Sequence, residues 1–246
     1  MRRRDVLPAA LALIMAWQIV SWFVNSPLLP GPFVVAATFV KELRGELAIH
    51  FLISLWRVLA SIALAVLLAV PAGIALGQSK ILDRTFAPVI YMLYPIPKVV
   101  LVPIVLLLFG IGEFPKIFII FIILFFQILV LVRDSAASIE PRTLLSVRSL
   151  GAGRRALYRY VYFPSSLSAI LTALRQSVGT AVAVLYIAEL FATESGLGYY
   201  ISLNGSTLFN YPAMYAGVLA MSLLGFGLYF SVDKLEHRVC PWKFVG

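Results

Sequence analysis

The sequence predicts an all-α membrane protein with six transmembrane helices and both termini in the cytoplasm. Three observations lead there. First, 61% of the 246 residues are hydrophobic, 13% are charged, and mean hydropathy is +0.97. Soluble domains run near half apolar and a quarter charged, so this apolar surface exceeds what one soluble core of this size hides. Second, six runs approach the roughly 20 apolar residues a spanning helix needs. Third, the cations fall on one side of the spans those runs define.

The first run is 6–24 (VLPAALALIMAWQIVSWFV). Arg2, Arg3 and Arg4 precede it, as in a signal peptide. Its apolar stretch exceeds a typical signal core, and NSPLLPG lacks a small-residue cleavage site, so it reads as a retained helix. Residues 25–50 follow as an external connection, whose second half (FVVAATFVKELRGELAIHF) has the pattern of an amphipathic surface helix. The next runs are 53–77, 88–109 (PVIYMLYPIPKVVLVPIVLLLF) and 115–132. Pro95 and Pro97 must break or kink the third run, because proline removes a helical donor and clashes with the preceding turn. The fifth run is 165–191 and the sixth 212–231. Between them, 192–212 (ATESGLGYYISLNGSTLFNYP) reads either as a short helix tucked between spans or as an outer loop. Irregular backbone at membrane depth survives only when buried in protein or lining a cavity.

With both termini inside, fourteen of the twenty Lys and Arg lie in the cytoplasm and only Lys41, Arg44 and Lys116 outside. Arg57, Lys98 and Arg175 fall within spans. That asymmetry accounts for the net charge of +9 without nucleic acid, which is excluded as a partner; the lipid membrane is the environment. Cys240 is the only cysteine, so no intrachain disulfide forms. His50 and His237 lack metal-ligand spacing, and each reads as a single polar residue near a membrane surface.

The inside loop 133–164 is the largest, and its centre is RSLGAGRRALYRYVYFP. Glu140-Pro141 is a helix start, with Pro141 where a missing N–H costs nothing. Leu144, Val147 and Leu150 follow at helical spacing, and Gly151 supplies the flexible stop. A second short helix begins after Gly153. It gathers Ala156, Leu157, Tyr160 and Val161 on one face, and Phe163-Pro164 ends it. Topology alone, or adsorption to lipid, explains the arginines. Neither explains a compact helix–hinge–helix, which suits docking of a cytoplasmic partner.

This segment resembles the cytoplasmic signature of ABC importer permeases: Glu-Ala-Ala, three residues, Gly, nine residues, then Ile-x-Leu-Pro. Gly151 matches the glycine, and Val161-Tyr162-Phe163-Pro164 follows at the nine-residue gap. Leu145, Ser146 and Val147 replace Glu-Ala-Ala, so any salt bridge of that glutamate is lost. Stretches 54–79, 94–112, 170–181, 188–201 and 235–242 extend the likeness, in order, to the alkanesulfonate/taurine/nitrate permease subfamily. The resemblance implies a type I ABC importer permease fold in a prokaryotic plasma (inner) membrane. It implies a second copy of the chain, two ABC ATPase subunits and an external substrate-binding protein. ATP and Mg would be bound by the ATPase; no cofactor is expected in this chain, which lacks a GxxxxGK[ST] loop and is not expected to be an enzyme. By the same likeness Leu145, Ser146, Val147, Arg148, Leu150, Gly151, Ala152, Gly153, Arg154 and Pro164 couple the chain to the ATPase. The solute is expected to be a small anion such as a sulfonate, taurine or nitrate.

Charges within spans need a reason. Lys98 has three roles open to it: satisfying carbonyls freed by the prolines, snorkelling, or facing the path. Arg175 either attracts an anion or makes a structural bond to the third helix or a dimer mate. Glu189 shares a face with Arg175 but lies about 21 Å away, so the two do not pair; it reads as an anchor for 192–212. Tyr94, Pro97, Lys98, Arg175, Glu189 and Asn204 are the candidates for the translocation path; Tyr91, Gln127 and Tyr186 are further polar groups that either face a cavity or sit at an interface. Two parts are expected: 1–50, the first span plus the external segment, and 51–246, a five-helix core carrying the loop 133–164. The alternatives fare worse. A stand-alone channel or secondary carrier needs a coupling-ion site, for which intramembrane carboxylates are scarce. A membrane enzyme needs a clustered acid–base or nucleophile set.

Overall fold

The computed structural model describes residues 3–191 and 193–243, with side chains from Pro8 onward. The Arg2 part of the basic N-terminus and Ala192, first residue of the 192–212 segment, lie outside the described residues. Among the described residues every regular element is helical: α1 (Arg3–Val24), α2 (Pro32–Glu42), α3 (Glu46–Gln78), α4 (Lys80–Leu93), α5 (Val102–Phe109), α6 (Glu113–Ala137), α7 (Pro141–Ser149), α8 (Arg154–Leu157), α9 (Phe163–Ala188), α10 (Leu197–Ser202) and α11 (Tyr211–Val239). Four helices are long and apolar enough to cross a membrane: α3, α6, the continuous Arg154–Ala188 helix, and α11. The pair Lys80–Leu93 and Lys98–Phe109 qualifies together, and Pro8–Val24 of α1 is a shorter apolar helix.

The chain forms two compact units, Met1–Ser54 with Thr193–Leu224, and Leu55–Ala192 with Gly225–Gly246. In the first, α2 starts at Pro32 in the N-terminal turn, where proline needs no partner. Val35 is buried while Phe33 and Val34 are exposed, a one-sided helix as its pattern predicts. It ends at Glu42, and α3 already begins at Glu46, seven residues before the apolar run. Glu46 in the first turn of α3 complements the positive end of the helix dipole. The segment 192–212 is a short helix and not an open loop: α10 runs on into a π-turn at Leu203–Thr207. Gly217 lets α11 pass close over α10, since a Cβ there would stand 2.8 Å from the Ile201 side chain. Tyr200 is buried, and its hydroxyl donates to Glu42 over 3.4 Å. Burial first, then the carboxylates of Glu42 and Glu46, push the phenol above its usual range, so it remains a donor.

In the second unit α6 and α9 form the core. Ile119, Ile120, Leu124, Ile128 and Val132 from α6 and Ile170, Leu174, Val178, Ala181 and Leu185 from α9 are all buried. α3 joins them through Gly73 and Gly77. A Cβ on Gly77 would stand 2.6 Å from the Arg133 carbonyl, and one on Gly73 would stand 2.9 Å from that of Leu129. Small residues four apart let helices approach where lipid offers no hydrophobic drive for association.

Two departures from the sequence reading have clear causes. The third run is not one helix over 88–109. α4 starts earlier, capped by the Ser79 hydroxyl, which accepts from the Leu82 N–H at 3.3 Å. The Tyr94-Pro95-Ile96-Pro97 break then bends the two halves by 77°. Neither proline can donate, so the helix cannot pass through. Conversely, Phe163-Pro164 does not end the second loop helix. A π-turn at Tyr158–Tyr162 precedes it, with the Phe163 N–H reaching back to the Tyr158 carbonyl. The wider turn accommodates the proline ring, and α8 continues into α9 without interruption.

Candidate functional site

The most exposed apolar side chains of the 133–164 loop form a knob. α7 begins at Pro141 and Gly151 follows it with φ of +82°, a left-handed value that glycine adopts freely. The turn closes with the Gly151 N–H on the Arg148 carbonyl at 2.9 Å, and Leu157 starts α8 by donating to the Gly153 carbonyl at 3.0 Å. Ser146 donates to the Arg142 carbonyl, so its hydroxyl is satisfied within α7. Leu150 is 85% exposed and Leu145 62%. Val147 and Ala152 are half-buried, while Arg142, Arg148, Arg154 and Arg155 are exposed. Leu157, Val161 and Tyr162 are buried and root the knob, and Pro164 follows them in the same helix. An exposed apolar tip with a polar rim is the anatomy of a protein-docking surface.

In the same unit the helices are fastened by ion pairs. Arg57 of α3 is wholly buried. Its guanidinium grips Glu113 of α6 bidentately, with Nε donating to Oε2 at 2.8 Å, and donates from Nη1 to Glu189 at 2.7 Å. Ser61, one turn on, donates to the carbonyls of both Arg57 and Ile117. A paired, bidentate arginine is what a charge in an apolar setting requires. A second pair joins Arg133 of α6 to Asp83 of α4, with Tyr91 stacked 5.5 Å from the guanidinium and its hydroxyl 3.4 Å away.

Of the path candidates, Tyr94, Pro97 and Lys98 cluster at the proline break. The Lys98 ammonium donates to the carbonyls of Leu93, Tyr94 and Ile96 at 2.8, 3.0 and 3.3 Å and lies 4.7 Å from the Phe126 ring. The ammonium thus bonds carbonyls at the proline break, the first of its three open roles, while Lys98 also lines a cavity. Tyr94 and Lys98, but not Pro97, border a cavity of about 260 Å³ that also meets Gln127, whose buried amide oxygen lacks a partner among the described residues. Arg175 lies elsewhere. It donates to Asp233 at 2.9 Å and stands 3.2 Å from Glu236, both on α11, and not on the third helix. Lys243 and Thr172 also bind Glu236, at 2.6 and 3.1 Å. Glu189 is held at the Arg57 cluster. Asn204 belongs to the other unit, buried, with its amide on the Tyr200 carbonyl.

Four working residues carry no role in the sequence reading. Arg57 and Glu113 were visible only as charges in or beside apolar runs. His50 looked isolated, yet its Nδ1 accepts from the Gly196 N–H at 3.0 Å, and Ser54 accepts from Leu197 at 2.8 Å. Two polar residues one helical turn apart thus hold the start of α10. Their four-residue spacing was the available signal.

Comparison with known proteins places this geometry. The profile of the family "Binding-protein-dependent transport system inner membrane component" matches residues 69–240. The taurine transport system permease protein TauC of Escherichia coli is 30% identical over 95% of this chain and 87% of its own length. The formylaminopyrimidine transport permease protein ThiX of Halalkalibacterium halodurans is 27% identical, over 95% and 93%. The putative aliphatic sulfonates transport permease protein SsuC of Bacillus subtilis is 29% identical, over 97% and 86%. Among solved structures, a chain of the inward-facing MetNI methionine ABC transporter superposes with a TM-score of 0.66 at 18% identity, covering 79% of this chain and 96% of that one. That likeness gives the type I ABC importer permease fold. With the profile covering more than half of the chain, this multi-pass inner-membrane protein belongs to the binding-protein-dependent transport system inner membrane components, the permeases of ABC transporters.

Proposed function

We propose that this chain is the membrane-spanning subunit of an ATP-driven importer and that the knob at 140–164 is where ATPase subunits drive it. The observation that carries this is the continuity of α8 with α9: a displaced knob tilts a spanning helix directly, with no loop between to absorb the motion. Leu145, Leu150 and Gly151, with Arg142 and Arg155, present the docking tip, and Val147, Ala152 and Gly153 set its angle. In this reading α1, α3, the bent α4–α5 pair, α6, α8–α9 and α11 make six spans. Both termini and the knob then lie in the cytoplasm, which puts the cationic residues on the inner side. Two copies of the chain pair around one path, above two ATPases that bind ATP and Mg, with an external binding protein delivering solute.

The solute class proposed is a small organic sulfonate, supported by the names of TauC and SsuC. ThiX, comparably similar, favours a second reading, a neutral heterocycle. Uptake of taurine against formylaminopyrimidine by vesicles carrying the assembled importer separates the two. The coupling role is tested by Gly151→Pro. Proline holds φ near −65°, whereas the turn stands at +82°. The expected result is ATP hydrolysis that no longer drives uptake in reconstituted vesicles. Unchanged uptake per ATP would refute the coupling role.

A further inference from the structure

A cavity of about 550 Å³ lies behind the knob, and its polar lining is strongly one-signed. Lys80, Arg148 and Arg154 contribute three cations, and Gln78, Ser79 and Tyr162 are the other polar lining residues. No carboxylate among the described residues lines it. Among the described residues none of the three cations has an ion pair, and Asp83, the acid in the first turn of α4, is spent on Arg133. The three come from separate segments: the start of α4, the end of α7 and the start of α8. All three are exposed, and an anion entering the recess meets three cations with no acid in the lining to compete for them.

The position says which anion. Gln78 is the last residue of α3, and Tyr162 immediately precedes α9, so the cavity sits at the ends of two spanning helices. Ile81 and Leu82 also border it and are 80% and 40% exposed. A charged recess with an apolar lip at that level fits a phosphate headgroup whose acyl chains run along the helices. Basic pockets between helix ends on the cytoplasmic side are attractive to such headgroups.

We infer that this cavity holds the phosphate headgroup of an anionic phospholipid, wedged between the knob and the α3–α4 junction. The inference rests on the orientation proposed above. The bound lipid braces the knob from behind and makes coupling sensitive to the anionic content of the inner leaflet.

The test uses the full chain purified in mild detergent, without ATPase, so that its failure is separate from failure of the coupling reading. Phosphatidylglycerol is titrated in and bound copies are counted by native mass spectrometry. Lys80→Gln should weaken binding about fivefold, the weight of one cation near an anionic surface. Arg154→Gln should act likewise. Lys80→Arg should restore binding, and Arg84→Gln, an exposed cation of α4 outside the lining, should change nothing. Equal binding in all variants overturns the inference. So does displacement of the lipid by equimolar inorganic phosphate, which would make the occupant a free anion. Loss of ATPase assembly in Lys80→Gln with lipid binding intact also overturns it, because the recess would then belong to the partner. Should Lys80→Gln fail to fold, the Lys80→Arg and Arg154→Gln pair carries the same comparison.

Discussion

Arg57 is wholly buried, and its carboxylate partners Glu113 and Glu189 come from distant parts of the chain. Glu113 and Glu189 lie 56 and 132 positions along the chain. Breaking such a pair leaves an uncompensated buried charge, worth about 3–5 kcal/mol, whereas replacing both partners by apolar groups is far milder. Arg57→Leu should therefore lower the unfolding temperature in detergent sharply, and Arg57→Leu with Glu189→Leu should recover much of the loss. A double variant no better than the single one would sink this account. Arg175 is a related case. Its charge is met by Asp233 and Glu236, so it serves to tie α9 to α11. Arg175→Ala should reduce thermal stability while the apparent KM for a sulfonate stays within about twofold, the signature of a residue outside substrate binding. A large KM rise at normal stability would return the arginine to the path. At this scale the sequence was half legible. It showed that a charge in an apolar run needs a partner, but a partner more than a hundred residues away is decided by packing.

Helices α3 and α6 touch through glycines, and a lysine sits at the bend between α4 and α5. Gly77 has no room for a Cβ: one would stand 2.6 Å from both the Arg133 carbonyl and the Ala136 side chain. Gly77→Val forces the helices apart and should cost about 1–3 kcal/mol, measured by denaturant or thermal unfolding. Lys98 donates to three carbonyls at the Pro95–Pro97 break, those of Leu93, Tyr94 and Ile96. Lys98→Met should raise hydrogen exchange across 93–101, and Lys98→Arg should not fully restore protection, because a planar guanidinium cannot point three donors inward as an ammonium does. Unchanged exchange would mean that the bend needs only the prolines. Element positions were the most legible feature, since proline chemistry and apolar length act locally. The Pro164 stop was misread because a proline ends a helix only when the preceding turn keeps α geometry. Here a π-turn relieves the clash.

For the molecule as a whole, the claim is that a small exposed knob, continuous with a spanning helix, converts partner motion into tilting of the path. The knob was legible because glycine, proline and arginine placement is local chemistry. The solute was not, because the path candidates Lys98, Arg175, Glu189 and Asn204 are each engaged within the chain, and no uncommitted charge marks a selective site among them. The most direct test is the mass of the complex purified with its ATPase in mild detergent, for the wild type and for Leu150→Asp, which places a charge on the 85% exposed tip. The account predicts two permease chains with two ATPases for the wild type, and a permease dimer stripped of ATPase for the variant. ATPase retained in full by Leu150→Asp would contradict it.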